Sequence, residues 1–168
     1  MINVIIGKNS ILTNALTKKL SNTVVFSARD SKLIKKIKLL NKYKTINLIF
    51  NNFYPAAKIN NLNHNNYVDF YKQSLLVNSE ILKNINKKKI KKIIYTSSSS
   101  IYGSINENFD DNLNKKIYTS TKIANENLFK SFCKENSIQY IIARVFNIYG
   151  ANKDNFSIVS KLINSSKS

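Results

Sequence analysis

Residues 90–103 read IKKIIYTSSSSIYG, so that an apolar run leads directly into a cluster of hydroxyl side chains. The run from Ile90 to Tyr95 has the length and apolar character of a buried strand, and Gly103 closes the serine-rich segment. A parallel sheet presents its ligands beyond the carboxyl ends of its strands. The sequence therefore predicts a ligand site at the cluster Thr96 to Ser100. Taken alone, the serines are equally well interpreted as a polar turn that bonds its own backbone.

Strand-like and helix-like segments alternate on both sides of this stretch. Further strands are predicted at Asn3 to Ile6, Thr23 to Phe26, Ile46 to Phe50 and Gln139 to Val145, and helices at Ile11 to Leu20, Ser31 to Tyr43, Val68 to Ile85 and Tyr118 to Asn136. The asparagine-rich segment 51–66 is predicted to be a loop. Five β/α alternations predict an α/β fold: a Rossmann-like doubly wound parallel sheet in a single three-layer domain, residues 1–168.

Composition limits the classes of function. The 168-residue chain has a formal net charge of +18, which permits nucleic-acid binding, but Arg29 and Arg144 are its only arginines. Proteins that read nucleic acids favour arginine, so a solvated lysine-rich surface is the preferred interpretation and nucleic-acid binding the minor alternative.

No apolar run reaches the ~18 residues of a membrane span. The single cysteine, Cys133, is expected to be a packed thiol in a cytoplasmic protein, and His64 has no neighbours suited to a metal site.

Two further motifs indicate chemistry. Gly7 follows the first strand, where dinucleotide-binding folds place glycine so that backbone N–H groups approach a pyrophosphate. The segment Tyr118-Thr-Ser-Thr-Lys122 places an ammonium four residues after a phenol, on the same helix face. A nearby positive charge favours the phenolate, which suits Tyr118 for general acid/base work on an alcohol or carbonyl. Each motif alone is common by chance.

In combination, the ordered motifs resemble the extended short-chain dehydrogenases/reductases, the group of NAD(P)-dependent nucleotide-sugar epimerases and dehydratases. The series consists of the Gly7 turn, TSSSSIYG ending at Gly103, YTSTK ending at Lys122, and RVFNIYG ending at Gly150. The resemblance covers essentially the whole chain. It implies hydride transfer at a carbon of a nucleotide-activated sugar, with NAD or NADP as the cofactor.

The resemblance also implies a role for individual residues. In the catalytic set, Ser98 binds the substrate oxygen, Tyr118 is the general acid/base, and Lys122 binds the nicotinamide ribose and lowers the pKa of Tyr118. The implied cofactor contacts are Gly7, Ser10, Ile11, Leu12, Arg29, Asn51, Ser74, Tyr118, Lys122 and Phe146. The implied substrate contacts are Ser98 and Asn147.

The chain departs from the family pattern in three places. Ser10 and Thr13 replace two turn glycines, and their side chains are expected to crowd the pyrophosphate. Ser27 replaces the acidic residue that would bond the ribose of NAD, while Arg29 nearby favours NADP. Family members are roughly twice as long, so most of the C-terminal substrate domain is expected to be missing. A homodimer or a complementing C-terminal chain is the expected partner, and a catalytically impaired or split Rossmann-like subunit is the alternative function.

Overall fold

Five strands form one parallel sheet in the order β2-β1-β3-β4-β5. The computed structural model describes residues 1–52, 61–103, 113–146, 148, 162 and 165–166. The strands are β1 (Ile2–Ile6), β2 (Thr23–Phe26), β3 (Ile46–Phe50), β4 (Ile90–Ser98) and β5 (Gln139–Val145). The predicted parallel sheet is confirmed. Strand β4 continues three residues beyond its predicted end because Thr96, Ser97 and Ser98 pair with the last residues of β5.

The helices cover both faces of the sheet. They are α1 (Ile11–Thr17), α2 (Leu33–Leu39), α3 (His64–Tyr71), α4 (Val77–Asn84) and α5 (Leu113–Glu135), with short 3-10 turns at Leu40–Lys42, Lys87–Lys89 and Ser99–Tyr102. Right-handed crossovers that run in opposite directions along a sheet lie on opposite faces. The connection through α1 runs from β1 to β2, opposite to the other connections, so α1 lies on one face and α2, α4 and α5 on the other.

The main core lies between the sheet and the α2, α4 and α5 face. Alternate strand residues point into it, and Phe50 and Tyr95 pack on Phe129 of α5 with ring centroids 4.5 Å and 4.9 Å away. Burial of each such side chain contributes about 1.5–3 kcal/mol. The helix α5, which carries Tyr118 and Lys122, is therefore held firmly against the strands whose ends it faces. Cys133 is buried in the same cluster, as predicted.

Two helices begin several residues before their predicted starts. The predicted loop 51–66 gives way to α3 at His64, because the Asn63 side chain accepts a hydrogen bond from the backbone of Asn65 and forms a capping box with Asn66. The helix predicted to begin at Tyr118 begins at Leu113. Among the described residues, no helix combines the length and apolar character needed to cross a membrane.

A π-helical segment, Lys72–Leu76, joins α3 to α4 within the stretch predicted as one long helix. The backbone carbonyl of Ser74 accepts hydrogen bonds from the side-chain amides of Asn78 and Asn125, at 3.3 Å and 2.8 Å. The carbonyl of Gln73 accepts one from Asn52 at 3.1 Å. Such segments recur at functional sites. Here the segment is tied to α5 through Asn125 and to the end of β3 through Asn52.

The strand order determines where a ligand crevice forms. The chain leaves β1 toward β2 on one side, whereas β3 and all later strands lie on the other side. A sheet of this kind opens a crevice outside the carboxyl ends of the strands at the point of reversal. That point lies between Gly7, which follows β1, and Asn51, which follows β3.

Candidate active site

A cavity of about 690 Å³ opens at this crevice. Its described walls come from the turn after β1, the ends of β2, β3, β4 and β5, the π-helical segment and α5. Eight of the residues singled out from the sequence line it: Gly7, Ser10, Arg29, Asn51, Ser98, Tyr118, Lys122 and Phe146. Residues that lie more than a hundred positions apart in the chain are thus brought to one site.

The remaining predicted contacts lie elsewhere. Ile11 and Leu12 belong to α1 and do not line the described wall of the cavity. Ser74 is fully buried in the π-helical segment, and its neighbour Gln73 lines the cavity instead. The predicted substrate contact Asn147 lies outside the described residues. Gln73 has no sequence signature that would have singled it out, because only the local helix geometry turns it toward the crevice.

In the turn after β1, the backbone of Gly7 packs closely against the backbone of Asn51, although two other glycines of the motif are replaced. Gly7 has a φ of +126°, and a Cβ there would lie 2.5 Å from the carbonyl oxygen of Asn51. The Thr13 hydroxyl donates to the Gly7 carbonyl at 2.6 Å, and the Asn51 amide donates to the hydroxyls of Ser10 and Thr13 at 2.9 Å and 2.8 Å. Thr13 is therefore buried in the turn, and its side chain braces the turn. The prediction that it crowds the ligand was wrong for this residue.

Ser98 and Tyr118 lie next to each other where β4 ends. The Ser98 hydroxyl lies near enough to the Tyr118 hydroxyl to lower the pKa of the phenol, and Ser98 is held in place by a 2.8 Å hydroxyl contact with Ser100 and a bond from the Ser100 backbone. The Tyr118 ring packs against the small apolar cluster of Leu62 and Phe70. Burial raises the pKa of Tyr118, and the bond to Ser98 offsets part of that rise. The phenol is therefore protonated at neutral pH.

Lys122 is buried beside this pair, with only 4% of its surface exposed. Its Nζ donates to the Thr96 carbonyl at 3.0 Å and lies 5.2 Å and 5.8 Å from the ring centroids of Tyr95 and Tyr118. Burial lowers the pKa of Lys122 to about 7, so at neutral pH only part of the population carries the charge. In the protein alone the pKa of Tyr118 is raised, mainly because the phenol is buried, and the lowering of this pKa by Lys122 stays a prediction.

Beneath these side chains, Glu126 binds three structural elements together. Its carboxylate accepts a hydrogen bond from Ser97 of β4 at 2.7 Å and two from Arg144 of β5, both at 2.9 Å. The Glu126 side chain is only 3% exposed, and the guanidinium of Arg144 lies 4.9 Å from the ring centroid of Tyr102. The Arg144 guanidinium is the main reason that the pKa of Glu126 falls to about 2. One turn after Lys122, this ion pair locks α5 to the strand ends.

Removal of Arg144 is expected to destabilise the fold in a pH-dependent way. In Arg144→Met the free energy of unfolding at about pH 7 should fall by ~2–4 kcal/mol, because a buried carboxylate loses its bidentate partner. Glu126 titrates at about 2 in the folded chain and at its ordinary value of 4.5 when exposed. The stabilisation is therefore present above pH 4.5 and lost as the pH falls toward 2. Urea unfolding across this range measures the difference.

The matched control for this prediction is Lys130→Met. Lys130 contacts the same carboxylate at 3.4 Å but is 39% exposed, so its removal should change stability by less than ~1 kcal/mol. A loss in Arg144→Met that stayed constant down to about pH 2 would contradict the assignment, because it would then come from packing.

Comparison with known proteins finds a family match and a curated relative. Residues 13–168 match the model of the NAD dependent epimerase/dehydratase family. The dTDP-D-glucose 4,6-dehydratase of Dictyostelium discoideum is 32% identical over 112 residues, which are 58% of this chain and 26% of that protein. Apart from β1 and the first two residues of α1, the described helices and strands lie within the residues that match this family.

Solved structures share the fold. MoeE5, determined in complex with UDP-glucose and NAD, matches with a TM-score of 0.70 at 16% identity, over 98% of this chain and 60% of that one. The UDP-glucose 4-epimerase of Thermus thermophilus, in complex with NAD, matches with a TM-score of 0.69 at 13% identity, over 98% and 61%. The UDP-glucuronic acid 4-epimerase of Bacillus cereus, in complex with NAD, gives 0.65 at 18% identity, over 99% and 64%. This chain thus spans about three-fifths of each solved chain.

Proposed function

The chain belongs to the NAD-dependent epimerase/dehydratase family, and from this we propose that it binds NAD(P) and performs acid/base chemistry coupled to hydride transfer on a nucleotide-activated sugar. One observation carries the proposal. Ser98, Tyr118 and Lys122 line a single cavity at the reversal point of the sheet, and the Nζ atom of Lys122 lies 5.8 Å from the ring centroid of Tyr118. A phenol, a hydroxyl and a buried amine in one crevice are what proton transfer at a sugar oxygen requires.

The residues present fit a dinucleotide. Gly7 leaves its backbone accessible at the crevice, where a side chain would meet Asn51. Ser10 and Asn51 line the same wall, and they would hold the pyrophosphate with Gly7. Lys122 and Phe146 would border the nicotinamide half. When bound, the nicotinamide supplies the site that accepts or donates a hydride at the sugar carbon.

The chain's own residues would give a proton to the sugar oxygen and take it back. Because burial raises the pKa of Tyr118, the phenol is set to give a proton to a carbonyl oxygen, while Ser98 donates a hydrogen bond to the same oxygen. The reverse step needs the phenolate, and protonation of Lys122 favours it by placing a positive charge close to the ring. With a pKa of about 7, Lys122 changes charge in the range where the enzyme would work.

Relatives suggest which substrates to test. Their names give UDP-glucose, UDP-galactose, UDP-glucuronic acid and dTDP-glucose as sugars that those proteins bind or convert. All four share a nucleoside diphosphate linked to a hexose. We therefore propose this class of compound as the substrate.

Cofactor affinity tests the proposal directly. Purified protein should bind NADH or NADPH saturably, as measured by nicotinamide fluorescence or calorimetry. Lys122→Met should weaken binding about tenfold or more, because it removes a buried donor that can carry charge. Lys134→Met, which removes an exposed lysine from the same helix outside the cavity, is the matched control and should leave the dissociation constant unchanged.

Different results would contradict the cofactor-binding part and the catalytic part of the proposal. Absence of binding for both cofactors at millimolar concentration would contradict it entirely. Binding of cofactor without formation of reduced nicotinamide or a changed sugar, with any of the four compounds, would contradict the catalytic part and leave a dinucleotide-binding subunit.

A further inference from the structure

The amino ends of the strands form a lysine-rich edge of the sheet, on the side opposite the cavity. Because the strands are parallel, the segments that lead into them lie together there, whereas the segments that follow them line the crevice. This basic edge is defined by exposed lysines at the end of α2 and in the connections to β3 and β4: Lys38, Lys42, Lys44, Lys87 and Lys88. The described residues that join the preceding helices to β2, β3 and β4 include no aspartate or glutamate.

The two connections that carry these lysines are held side by side. The side chain of Asn41 accepts a hydrogen bond from the backbone of Asn86 at 3.1 Å, and the backbone carbonyl of Asn41 accepts one from Nζ of Lys89. The lysines of the basic edge form no ion pair with any described residue. Like charges that lie together without partners repel one another, so a negatively charged surface placed against this edge would relieve the repulsion.

Exposed apolar side chains lie among the lysines of this edge. Leu39, which directly follows Lys38, is 68% exposed. Met1, which precedes β1 at the same edge, is exposed to the same extent. At a bilayer surface, lysine keeps its ammonium among the lipid headgroups while its own stem and neighbouring apolar side chains enter the acyl boundary. The combination of lysines with an exposed leucine and methionine therefore suits a lipid interface.

We propose that the basic edge is a contact surface for an anionic lipid bilayer, with the cavity facing away from the membrane. The only arginines of the chain, Arg29 and Arg144, lie at the carboxyl ends of β2 and β5, so this edge offers charge without the paired hydrogen bonds that read base edges. Its apolar side chains gain nothing from a phosphate backbone but are buried by a headgroup layer. This contact is independent of the reaction proposed above, and it leaves the cavity open to solvent.

Co-sedimentation of the chain with lipid vesicles tests this contact. Phosphatidylcholine vesicles with about one-third phosphatidylserine should bind the wild-type chain at least about fiftyfold more tightly than pure phosphatidylcholine at about 0.1 M salt, and about 0.5 M salt should remove most of the difference. The combined replacement Lys42→Gln, Lys44→Gln and Lys88→Gln should weaken binding about a hundredfold, since each lysine near an anionic surface contributes about fivefold. Leu39→Ser should weaken it about fivefold and leave the salt dependence unchanged.

The matched control replaces three exposed lysines that lie away from the basic edge, Lys32, Lys72 and Lys116, by glutamine. Its net charge equals that of the basic-edge variant, circular dichroism checks the folding of both, and its binding should fall less than about fivefold. Equal losses in the two variants would overturn the proposal, because net charge alone would then attract the chain. Equal binding of neutral and anionic vesicles would overturn it too. So would tighter binding to a DNA duplex that the basic-edge variant loses, since the edge would then be a nucleic-acid surface.

Discussion

Replacement of Tyr118 by phenylalanine is expected to lower kcat by about 10²–10⁴-fold. The variant keeps the ring that packs against Leu62 and Phe70 but loses the hydroxyl that lies beside Ser98. Without that hydroxyl, the described wall of the cavity has no phenol to exchange a proton with a sugar oxygen. Steady-state turnover with the nucleotide sugars named above, starting from the compound that wild-type protein converts, measures the effect.

Cofactor binding separates a chemical effect of this change from a structural one. The dissociation constant of Tyr118→Phe for the reduced cofactor should stay within about tenfold of wild type, because the change removes at most one neutral hydrogen bond to the cofactor. Tyr140→Phe is the control: it removes a phenol hydroxyl from β5, where the ring packs against the core. A Tyr118→Phe variant with wild-type kcat would remove this residue from the mechanism.

Replacement of Gly7 by alanine is expected to reduce the free energy of unfolding by about 3 kcal/mol or more. The backbone at Gly7 has a φ of +126°, which residues with a Cβ rarely adopt, and that Cβ would lie 2.5 Å from the Asn51 carbonyl oxygen. Strands β1 and β3 would have to separate at the crevice to make room. Urea denaturation followed by circular dichroism measures the loss.

Gly103→Ala is a control that separates backbone strain from steric collision. Gly103 also has a positive φ, +72°, but a Cβ there meets no atom of the described residues within 4 Å. The expected loss is about 1–2 kcal/mol, from conformation alone. Equal losses at the two glycines would mean that the close approach of β1 and β3 is relaxed in solution.

The strand positions were predictable because a buried parallel strand is a local signal. Short apolar runs that end at polar residues identified all five strands, and the family resemblance is confirmed by the match over residues 13–168. The ends of elements were less predictable. The extension of β4 to Ser98 depends on β5, which lies forty residues further along the chain. The π-helical segment depends on amides from α4, from α5 and from Asn52, which follows β3.

The candidate site was also predictable only in part. That Ser98, Tyr118 and Lys122 share a cavity followed from the rule on strand ends and from helical spacing, and their catalytic roles remain predictions. The directions of the pKa shifts at the site could not be predicted from the sequence. Burial determines the pKa of both Tyr118 and Lys122, and spacing along a helix contains no information on burial. The same holds for Thr13, whose hydroxyl was predicted to obstruct the ligand but is bonded to Gly7.

The α/β class, the succession of strands along the chain and the family were predictable without a structure, since all of these rest on local hydrophobic patterns and short motifs. Which side chains support the cavity depends on the packing of elements that are distant in the chain. Asn51 with Thr13, Gln73 with Arg29, and Glu126 with Arg144 are pairs separated by 38, 44 and 18 positions. Hydrogen bonds between such distant residues depend on how the sheet and helices pack, and no local pattern predicts them.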